Sequence, residues 1–285
     1  MGAELIESIG HLRLRLTEAR RANATIGLVP TMGALHAGHV RLIEEARHDC
    51  QAVAVSIFVN PLQFDREDDL RRYPRPLDAD RQICDRFGVD IVFAPSVEEM
   101  YPAQPECTID VGRLADHLCG RYRPGHFRSV ATVVMKLFDI VQPDRAYFGE
   151  KDAQQLAIIR RLVADLNVPV QIVGVPTVRE PDGLALSSRN AQLGPAEREL
   201  ATSLFRALQR ADLQIAVGDT DPESVTRAAS SEIPANPSLR LEYLEIVDPD
   251  DMQPVKRITG PVRVAGALWV GSTRLIDNVL SRPLT

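Results

Sequence analysis

The amino-acid sequence predicts an α/β protein, in which a doubly wound parallel sheet over residues 1–176 is followed by a smaller α+β domain over residues 177–285. Apolar, β-branched segments alternate with helix-like segments up to Pro176, and this alternation is typical of βαβ units. Residues 52–59 form a near-continuous apolar run, as expected for a central parallel strand covered on both faces. After Pro176 helices come first and strands later, which indicates the second domain.

The expected elements of the first domain follow from hydrophobic periodicity and from turn residues. Strands are predicted at residues 25–29, 52–59, 90–95, 145–148 and 171–175. Helices are predicted at residues 5–22, 38–49, 79–87, 131–141 and 153–166. The segments 65–80, 96–111 and 120–128 are interpreted as mainly loops. The first strand is expected to end at Pro30, because proline cannot donate to a strand ladder.

In the second domain the predicted helices precede the predicted strands. The helices are expected at residues 195–211 and 222–231, and the strands at residues 241–247 and 262–270. The last apolar segment, residues 275–280, is compatible with either a strand or a short helix.

Composition excludes several classes of protein. Apolar residues make up 45% of the 285 residues, so the chain can bury a full core. The net charge of −6 argues against a general nucleic-acid binder, which normally carries a basic excess. The four cysteines form no CxxC pair, so we expect reduced thiols in a cytoplasmic protein. No apolar run is long enough for a membrane span, and no signal peptide is expected.

The turn after the first strand carries two histidines at the start of a helix. His36 and His39 are three residues apart and therefore face one side of that helix. The free N–H groups of a helix N-terminus attract anions, so this turn suits a phosphate. It is not a P-loop, because His39 and Val40 stand where Lys and Ser/Thr are needed. An ordinary βα turn with two surface histidines, or a metal-binding pair, remains open from these residues alone.

Three further polar groups follow predicted strands or lie between the two domains. Asn60 and Gln63 come just after the central strand, at the edge where open α/β sheets bind ligands. Lys151, in the run 149–152, can reach a phosphate as a point charge. Residues 187–189, Ser-Ser-Arg, suit polyphosphate oxygens. Taken singly, the run 149–152 is also compatible with a capped helix that carries a surface salt bridge. Residues 187–189 are also compatible with a polar turn.

Together these groups indicate a Rossmann-like domain of the nucleotidyl-transferase type. Such proteins bind ATP at the sheet edge and let a nucleophile attack its α-phosphate. Imidazoles stabilise the charge that grows on that phosphate, and a basic loop neutralises the leaving pyrophosphate. No covalent protein nucleophile is required, since positioning and electrostatics supply the rate.

Six motifs resemble those of one enzyme family in order and spacing. They are VPTMGALHAGH at 29–39, VSIFVNPLQF at 55–64, RPGHF at 123–127, FGEKD at 148–152, LSSRN at 186–190 and RLIDN at 274–278. On these motifs the chain resembles the pantoate–β-alanine ligase (pantothenate synthetase) family. The resemblance implies a two-step ligation in the synthesis of a coenzyme A precursor. Pantoate first attacks the α-phosphate of Mg-ATP to give pantoyl adenylate and pyrophosphate, and the amine of β-alanine then displaces AMP to give pantothenate.

The same resemblance implies roles for particular residues. His39 is the expected proton donor, and Gln63 is expected to hold pantoate and β-alanine. Gln155 and Met32 are expected to contact pantoate, and Asn60 is included with them from its place after the strand. The expected ATP-binding residues are Met32, Gly33, Ala34, Leu35, His36, Ala37, Gly38, His39, Gly149, Glu150, Lys151, Asp152, Val178, Leu186, Ser187, Ser188 and Arg189. The expected catalytic residues are His36, His39, Lys151, Ser187, Ser188 and Arg189.

The expected cofactors are ATP and Mg²⁺, and no dedicated protein metal site is expected. ATP phosphates and water are the hard oxygen ligands that Mg²⁺ prefers, and Asp80 is kept as a protein candidate. The expected partners are pantoate and β-alanine, without nucleic acid or membrane. A homodimer is implied by the resemblance alone.

Three other functions are weighed against this one. Another nucleotidyl transferase of the same superfamily is disfavoured by the second domain and by Gln63 and Gln155. An aminoacyl-tRNA synthetase shares the histidine signature but needs more length and a basic surface. A nucleotide-binding sensor is disfavoured by the intact set of polar residues, namely His36, His39, Lys151 and Arg189.

Overall fold

The computed structural model describes residues 2–283, which divide into two compact units. The first unit holds residues 2–111, 123–150 and 158–176, and the second holds residues 112–122, 151–157 and 177–283. The predicted boundary after residue 176 is also a boundary between these units. Residues 112–122 and 151–157, however, lie with the second unit. The domains 1–176 and 177–285 therefore stay a prediction.

The first unit is built on a six-stranded parallel sheet. Its strands are β1 (Glu4–Ile6), β2 (Ile26–Thr31), β3 (Ala52–Ile57), β4 (Ile91–Phe93), β5 (Arg145–Gly149) and β6 (Gln171–Val175). Their order is β1-β4-β3-β2-β5-β6, and every neighbouring pair runs parallel. After the edge strand β1, the chain runs from β2 through β3 to β4 on one side of the sheet and then continues with β5 and β6 on the other side of β2. The predicted doubly wound α/β fold is therefore confirmed.

β2 continues through Pro30, so the predicted end of this strand is wrong. The carbonyl of Thr31 accepts the N–H of Phe58 at 3.1 Å, which turns Thr31 toward β3. Adjacent residues of a strand bond to opposite sides, so Pro30 faces β5 instead. The pairing of β2 with β5 covers only Gly27 and Leu28. The missing N–H of Pro30 therefore costs the sheet no ladder bond.

The predicted first helix is wrong at its beginning, because residues 4–6 form β1. Leu5 and Ile6 pair in parallel with Val92 and Phe93 of β4. The helix starts only after Ser8, whose side chain accepts the N–H of His11 at 3.3 Å. The helices within residues 2–111 are α1 (Ile9–Arg21), α2 (Ala37–Asp49), α3 (Glu67–Arg72), α4 (Leu77–Arg86) and α5 (Val97–Met100). The short helices α3 and α5 lie inside segments that were predicted as mainly loops.

The predicted basic loop 120–128 is also largely wrong, since only residues 123–125 separate two helices. The helices around and after it are α6 (Leu118–Tyr122), α7 (His126–Val141) and α8 (Ala153–Asp165). α7 begins five residues before the predicted start, because Phe127 and Val130 continue the buried face of Val134. Gly125 precedes α7 with φ 79°, a left-handed conformation that glycine adopts without strain.

The core of the first unit lies between the central strands and α2. Val29 and Val55 of β2 and β3 are fully buried, and they belong to one cluster with Leu42, Ile43 and Ala46 of α2. This packing fixes the carboxyl ends of β2 and β3 and the start of α2, which carry the polar groups described below.

The second unit combines helices with a three-stranded antiparallel sheet. Its elements are α9 (Pro195–Ala201), α10 (Ser203–Ala216), α11 (Pro222–Ser230), β7 (Leu239–Val247), β8 (Val262–Val270) and β9 (Thr273–Ser281), with the sheet in the order β7-β8-β9. The expected α+β arrangement is thus present, although one predicted helix is split at Thr202. The last apolar segment is a strand. Leu204, Leu208 and Ile215 of α10 pack in one cluster with Val264 and Leu268 of β8.

The helices between residue 2 and residue 283 include no candidate membrane span. No helix there is both long enough and apolar enough to cross a bilayer. The four cysteines are free thiols, of which Cys107 is exposed and the other three are buried.

Candidate active site

The turn between β2 and α2 is held by short backbone contacts. Gly33 and Ala34 both have positive φ, 78° and 51°. A Cβ added to Gly33 would lie 2.9 Å from a carboxylate oxygen of Asp80 and 2.9 Å from Ile57, so glycine is required there. The hydroxyl of Thr31 accepts the N–H of Gly33 at 3.0 Å and donates to the carbonyl of Ser56 at 2.8 Å.

Asp80 anchors this turn from α4. Its two oxygens accept the N–H groups of Ala34 at 2.8 Å and Leu35 at 2.7 Å, and the residue is 1% exposed. Burial raises the pKa of the Asp80 carboxyl, while the two backbone donors oppose that shift. The residue considered as a Mg²⁺ ligand is therefore a backbone clamp in this structure. The spacing of Asp80 and Cys84, both buried on α4, is the sequence signal that could have revealed it.

The two histidines cap the start of α2 reciprocally. The N–H of Gly38 donates to Nδ1 of His36 at 3.1 Å, and the N–H of His36 donates to Nδ1 of His39 at 3.3 Å. The ring centroids are 4.1 Å apart. Because a backbone N–H can only donate, each neutral ring must carry its own proton on Nε2. Both Nε2–H groups are thus donors beside the positive end of a helix, which is an anion-binding arrangement.

Asn60 shapes the segment that follows β3. It is 1% exposed, and its Oδ1 accepts the N–H of Leu62 at 3.3 Å at the start of a 3₁₀ turn, Pro61–Gln63. Its amide nitrogen lies 3.3 Å from Oε1 of Gln63. In this structure Asn60 orients Gln63, whereas the expectation was direct contact with substrate, which stays a prediction.

Gln63 and Met32 lie together, as expected if both face one substrate. Nε2 of Gln63 is 2.8 Å from Sδ of Met32. This contact joins the segment after β3 to the turn after β2, so the two groups share the carboxyl edge of the sheet.

Two polar residues of the RPGHF motif, Arg123 and His126, fix the backbone of Gln63. The carbonyl of Gln63 accepts from Arg123 at 3.0 Å and from Nδ1 of His126 at 2.8 Å. Arg123 donates to Nε2 of His126 at 3.1 Å, so the neutral His126 ring carries its proton on Nδ1. Arg123 also pairs with Asp65 at 2.9 Å. Burial acts to raise the pKa of Asp65, but the guanidinium of Arg123 outweighs it and holds that pKa below its ordinary value.

The remaining predicted ATP-binding residues follow β5 or lie in the second unit. Gly149 ends β5, and Glu150–Asp152 forms a 3₁₀ turn before α8. Within the second unit, Nζ of Lys151 lies 3.5 Å from Oδ1 of Asp152, and the side chain of Lys151 is 18% exposed. Gln155 is half-buried on α8. The neighbouring Gln154 has a structural role, because it donates to two backbone carbonyls of residues 114 and 117.

The Ser-Ser-Arg segment begins where a small hairpin ends. The N–H of Leu186 donates to the carbonyl of Val178 at 3.0 Å, which closes the hairpin beside an Arg179–Ala185 bridge. Ser187 then caps the 3₁₀ turn Ser188–Gln192 by accepting the N–H of Arg189 at 3.3 Å. Val178 and Leu186 are therefore neighbours, and their binding of ATP stays a prediction.

A resident metal site is not found in the described chain, residues 2–283. No group of three or more histidine, cysteine, aspartate or glutamate side chains there could hold a metal ion. His36 and His39 in particular use their Nδ1 atoms for backbone donors.

Known proteins resemble this chain along almost all of its length. A family model described as pantoate-beta-alanine ligase matches residues 4–280. The pantothenate synthetase of Moorella thermoacetica is 52% identical over 277 residues, covering 97% of this chain and 98% of that protein.

Solved structures agree with this match. Pantothenate synthetase from Thermus thermophilus has a TM-score of 0.92 at 46% identity, covering 98% of this chain and 100% of that one. A pantoate-beta-alanine ligase from Francisella tularensis, complexed with beta-gamma ATP and beta-alanine, has a TM-score of 0.82 at 35% identity, covering 98% and 97%. With the fold, the histidine turn and these relatives in agreement, the chain belongs to the pantoate–β-alanine ligase family.

Proposed function

We propose that this chain condenses (R)-pantoate with β-alanine at the expense of ATP, by way of a pantoyl-adenylate intermediate. The observation that carries the proposal is the reciprocal capping of α2, which sets the proton of each neutral His36 and His39 ring on Nε2 at a helix N-terminus. Membership in the ligase family and the ATP and β-alanine complex of the Francisella relative support the choice of substrates.

In the first step a carboxylate oxygen of pantoate attacks the α-phosphorus of ATP, and the bond from that phosphorus to the pyrophosphate oxygen breaks. His36 and His39 donate through Nε2 to oxygens of the α-phosphate, where negative charge grows. Residues 32–39 and 149–152, with Val178 and Leu186, bind the nucleotide. Lys151, Ser187, Ser188 and Arg189 neutralise the departing pyrophosphate.

In the second step the neutral amine of β-alanine attacks the acyl carbon of pantoyl adenylate, and AMP leaves as the acyl–oxygen bond breaks. The amine loses a proton to water as the amide forms. His39 donates to the phosphate of departing AMP, the role of proton donor that the resemblance implies. Gln63 and Gln155 hold pantoate through their amide groups, with Met32 against its apolar part.

Mg²⁺ bound to ATP would supply charge neutralisation at the phosphates. Oxygens of the phosphates and of water supply most of its ligands. We also propose a cytoplasmic homodimer, on the family resemblance and the free thiols; light scattering and cell fractionation test these two points.

The reaction is tested by incubating the purified chain with Mg-ATP, (R)-pantoate and β-alanine and measuring products by mass spectrometry. We expect pantothenate and AMP in equal amounts, and none when any of the three substrates is omitted. Formation of ADP, or ATP binding without any turnover, would contradict the proposal. The second outcome would favour a nucleotide sensor.

A further inference from the structure

Two adjacent polar residues near the end of the chain are buried although the proposed reaction gives them no role. Asp277 and Asn278 of β9 are each 5% exposed. They end the RLIDN motif at residues 274–278. All of their contacts described below lie within the second unit.

Asn278 fixes the main chain of Lys151. Its amide nitrogen donates to the carbonyl oxygen of Lys151 at 2.8 Å. Its Oδ1 accepts from Arg263 at 2.5 Å, so the orientation of the amide is set from its other end. Lys151, which is proposed to bind the polyphosphate, is therefore hydrogen-bonded to β9 through its backbone carbonyl.

Asp277 fixes a second segment through Arg179. The guanidinium donates to both carboxylate oxygens of Asp277, at 2.5 and 2.9 Å, in a bidentate pair. Arg179 also donates to the carbonyl of Gly183 at 3.1 Å and lies 4.2 Å from the ring centroid of Phe205. A planar group held on three sides has little freedom to move.

Arg179 belongs to the hairpin that leads into the Ser-Ser-Arg segment. It is bridged to Ala185, two residues before Ser187. Lys151, Ser187 and Asp277 line the same small pocket, together with apolar side chains such as Leu184 and Leu275. Burial raises the pKa of Asp277, and Arg179 opposes this shift more strongly than the more distant charge of Lys151 does. The two polyphosphate-binding segments thus meet at β9.

We infer that Asp277 and Asn278 are positioning residues for the proposed adenylation: they hold Lys151 and the segment 187–189 in one arrangement, so that both can act on the same polyphosphate. Asn278 acts through the carbonyl of Lys151, and Asp277 acts through Arg179. The inference rests on the proposed function, and its test separates the two.

Asn278→Asp keeps the acceptor for Arg263 and removes the donor to Lys151, but it adds a negative charge. Asn278→Ala removes the same donor without adding a charge. We expect kcat/KM for ATP to fall about 10-fold or more in both, the scale on which misplaced groups reduce rates. KM for pantoate should change little. Arg179→Lys keeps the charge of the second connection but loses its bidentate geometry, and should also act on ATP rather than pantoate.

Glu242→Gln is the matched control. Glu242 lies in β7 of the same sheet and accepts from Trp269 and Arg274, away from Asn278. The exchange between acid and amide is as small as in Asn278→Asp, and it should lower stability without changing kcat/KM for ATP.

A double-mutant cycle with Lys151→Ala decides whether Asn278 acts through Lys151. If it does, Asn278→Asp has little further effect on kcat/KM once Lys151 is truncated. Equal effects of Asn278→Asp in both backgrounds, or unchanged kcat/KM in the single variants at residues 278 and 179, would overturn the inference. A wild-type chain that forms no pantothenate would instead refute the proposed function itself.

Discussion

His36 and His39 each accept a backbone N–H of the same helix start through Nδ1, at 3.1 and 3.3 Å. A capping pair of this kind normally consists of a hydroxyl and a carboxylate or amide side chain. Here both caps are imidazoles, so the contacts that stabilise the helix also set which ring nitrogen carries the proton. Structural and chemical roles therefore share the same two side chains.

The chemical role of His39 can be separated from its capping role. His39→Ala loses both, whereas His39→Asn keeps a side-chain acceptor near the position of Nδ1 and loses the Nε2 donor. We expect kcat to fall about 10²-fold or more in both variants, the usual loss for one charge-stabilising donor. The stability of His39→Asn, measured by urea unfolding, should stay closer to wild type than that of His39→Ala. The exposed His11 on α1 provides the control His11→Ala, and near-normal turnover of His39→Asn would exclude the assigned role.

Gln63→Ala tests the substrate side of the proposal. The Nε2 of Gln63 faces Met32, and its backbone is held independently by Arg123 and His126. Truncating the side chain should therefore remove the amide without moving the turn. We expect a rise in KM for pantoate that exceeds any rise in KM for ATP, whereas Gln82→Ala, at an exposed position of α4, should leave both unchanged. An equal loss for both substrates would indicate a structural role.

The sequence predicts the sheet more completely than the supports of the site. In the six-stranded sheet, apolar runs identify β2 to β6. β1 is too short to show a pattern, and it is defined only by its pairing with β4. The histidine turn, Gln63 and Lys151 are found because their residue types carry chemistry at the ends of strands. Asp80 is found only as a candidate Mg²⁺ ligand, and Asn278 only as part of the RLIDN motif, because their roles are contacts to backbone atoms distant in sequence. The spacing of Asp80 and Cys84 can indicate a buried face of α4 but not the backbone groups that this face contacts.

Asp80→Ala should both destabilise the chain and impair ATP use. It removes the carboxylate that accepts the partly buried N–H of Ala34 and the buried N–H of Leu35. A loss of about 3 kcal/mol in the free energy of unfolding is expected from two such groups. The loosened turn should also lower kcat/KM for ATP by about 10-fold or more. Asp78→Ala, at an exposed position of the same helix, is the control, and a similar small effect of both changes would show that Asp80 does not hold the turn.

The Asp65–Arg123 pair predicts a pH dependence of stability. Arg123 lowers the pKa of Asp65 in the folded chain below the ordinary value of 3.8, so the folded state binds the proton less readily than the unfolded state. The stabilisation is therefore present above that value and is lost as the pH falls through the folded pKa. In urea unfolding, the advantage of wild type over Asp65→Asn should be larger at about pH 6.5 than at about pH 3. An advantage that stays constant with pH would refute this electrostatic account.

The central claim is that the chain adenylates pantoate before β-alanine reacts. The most direct measurement is exchange of labelled pyrophosphate into ATP, with Mg²⁺ present and β-alanine absent. The account predicts exchange that requires pantoate, is lost in His39→Ala, and gives way to AMP release when β-alanine is added. Exchange without pantoate would contradict the account. So would a chain that shows no exchange with pantoate alone and releases AMP only when pantoate and β-alanine are both present.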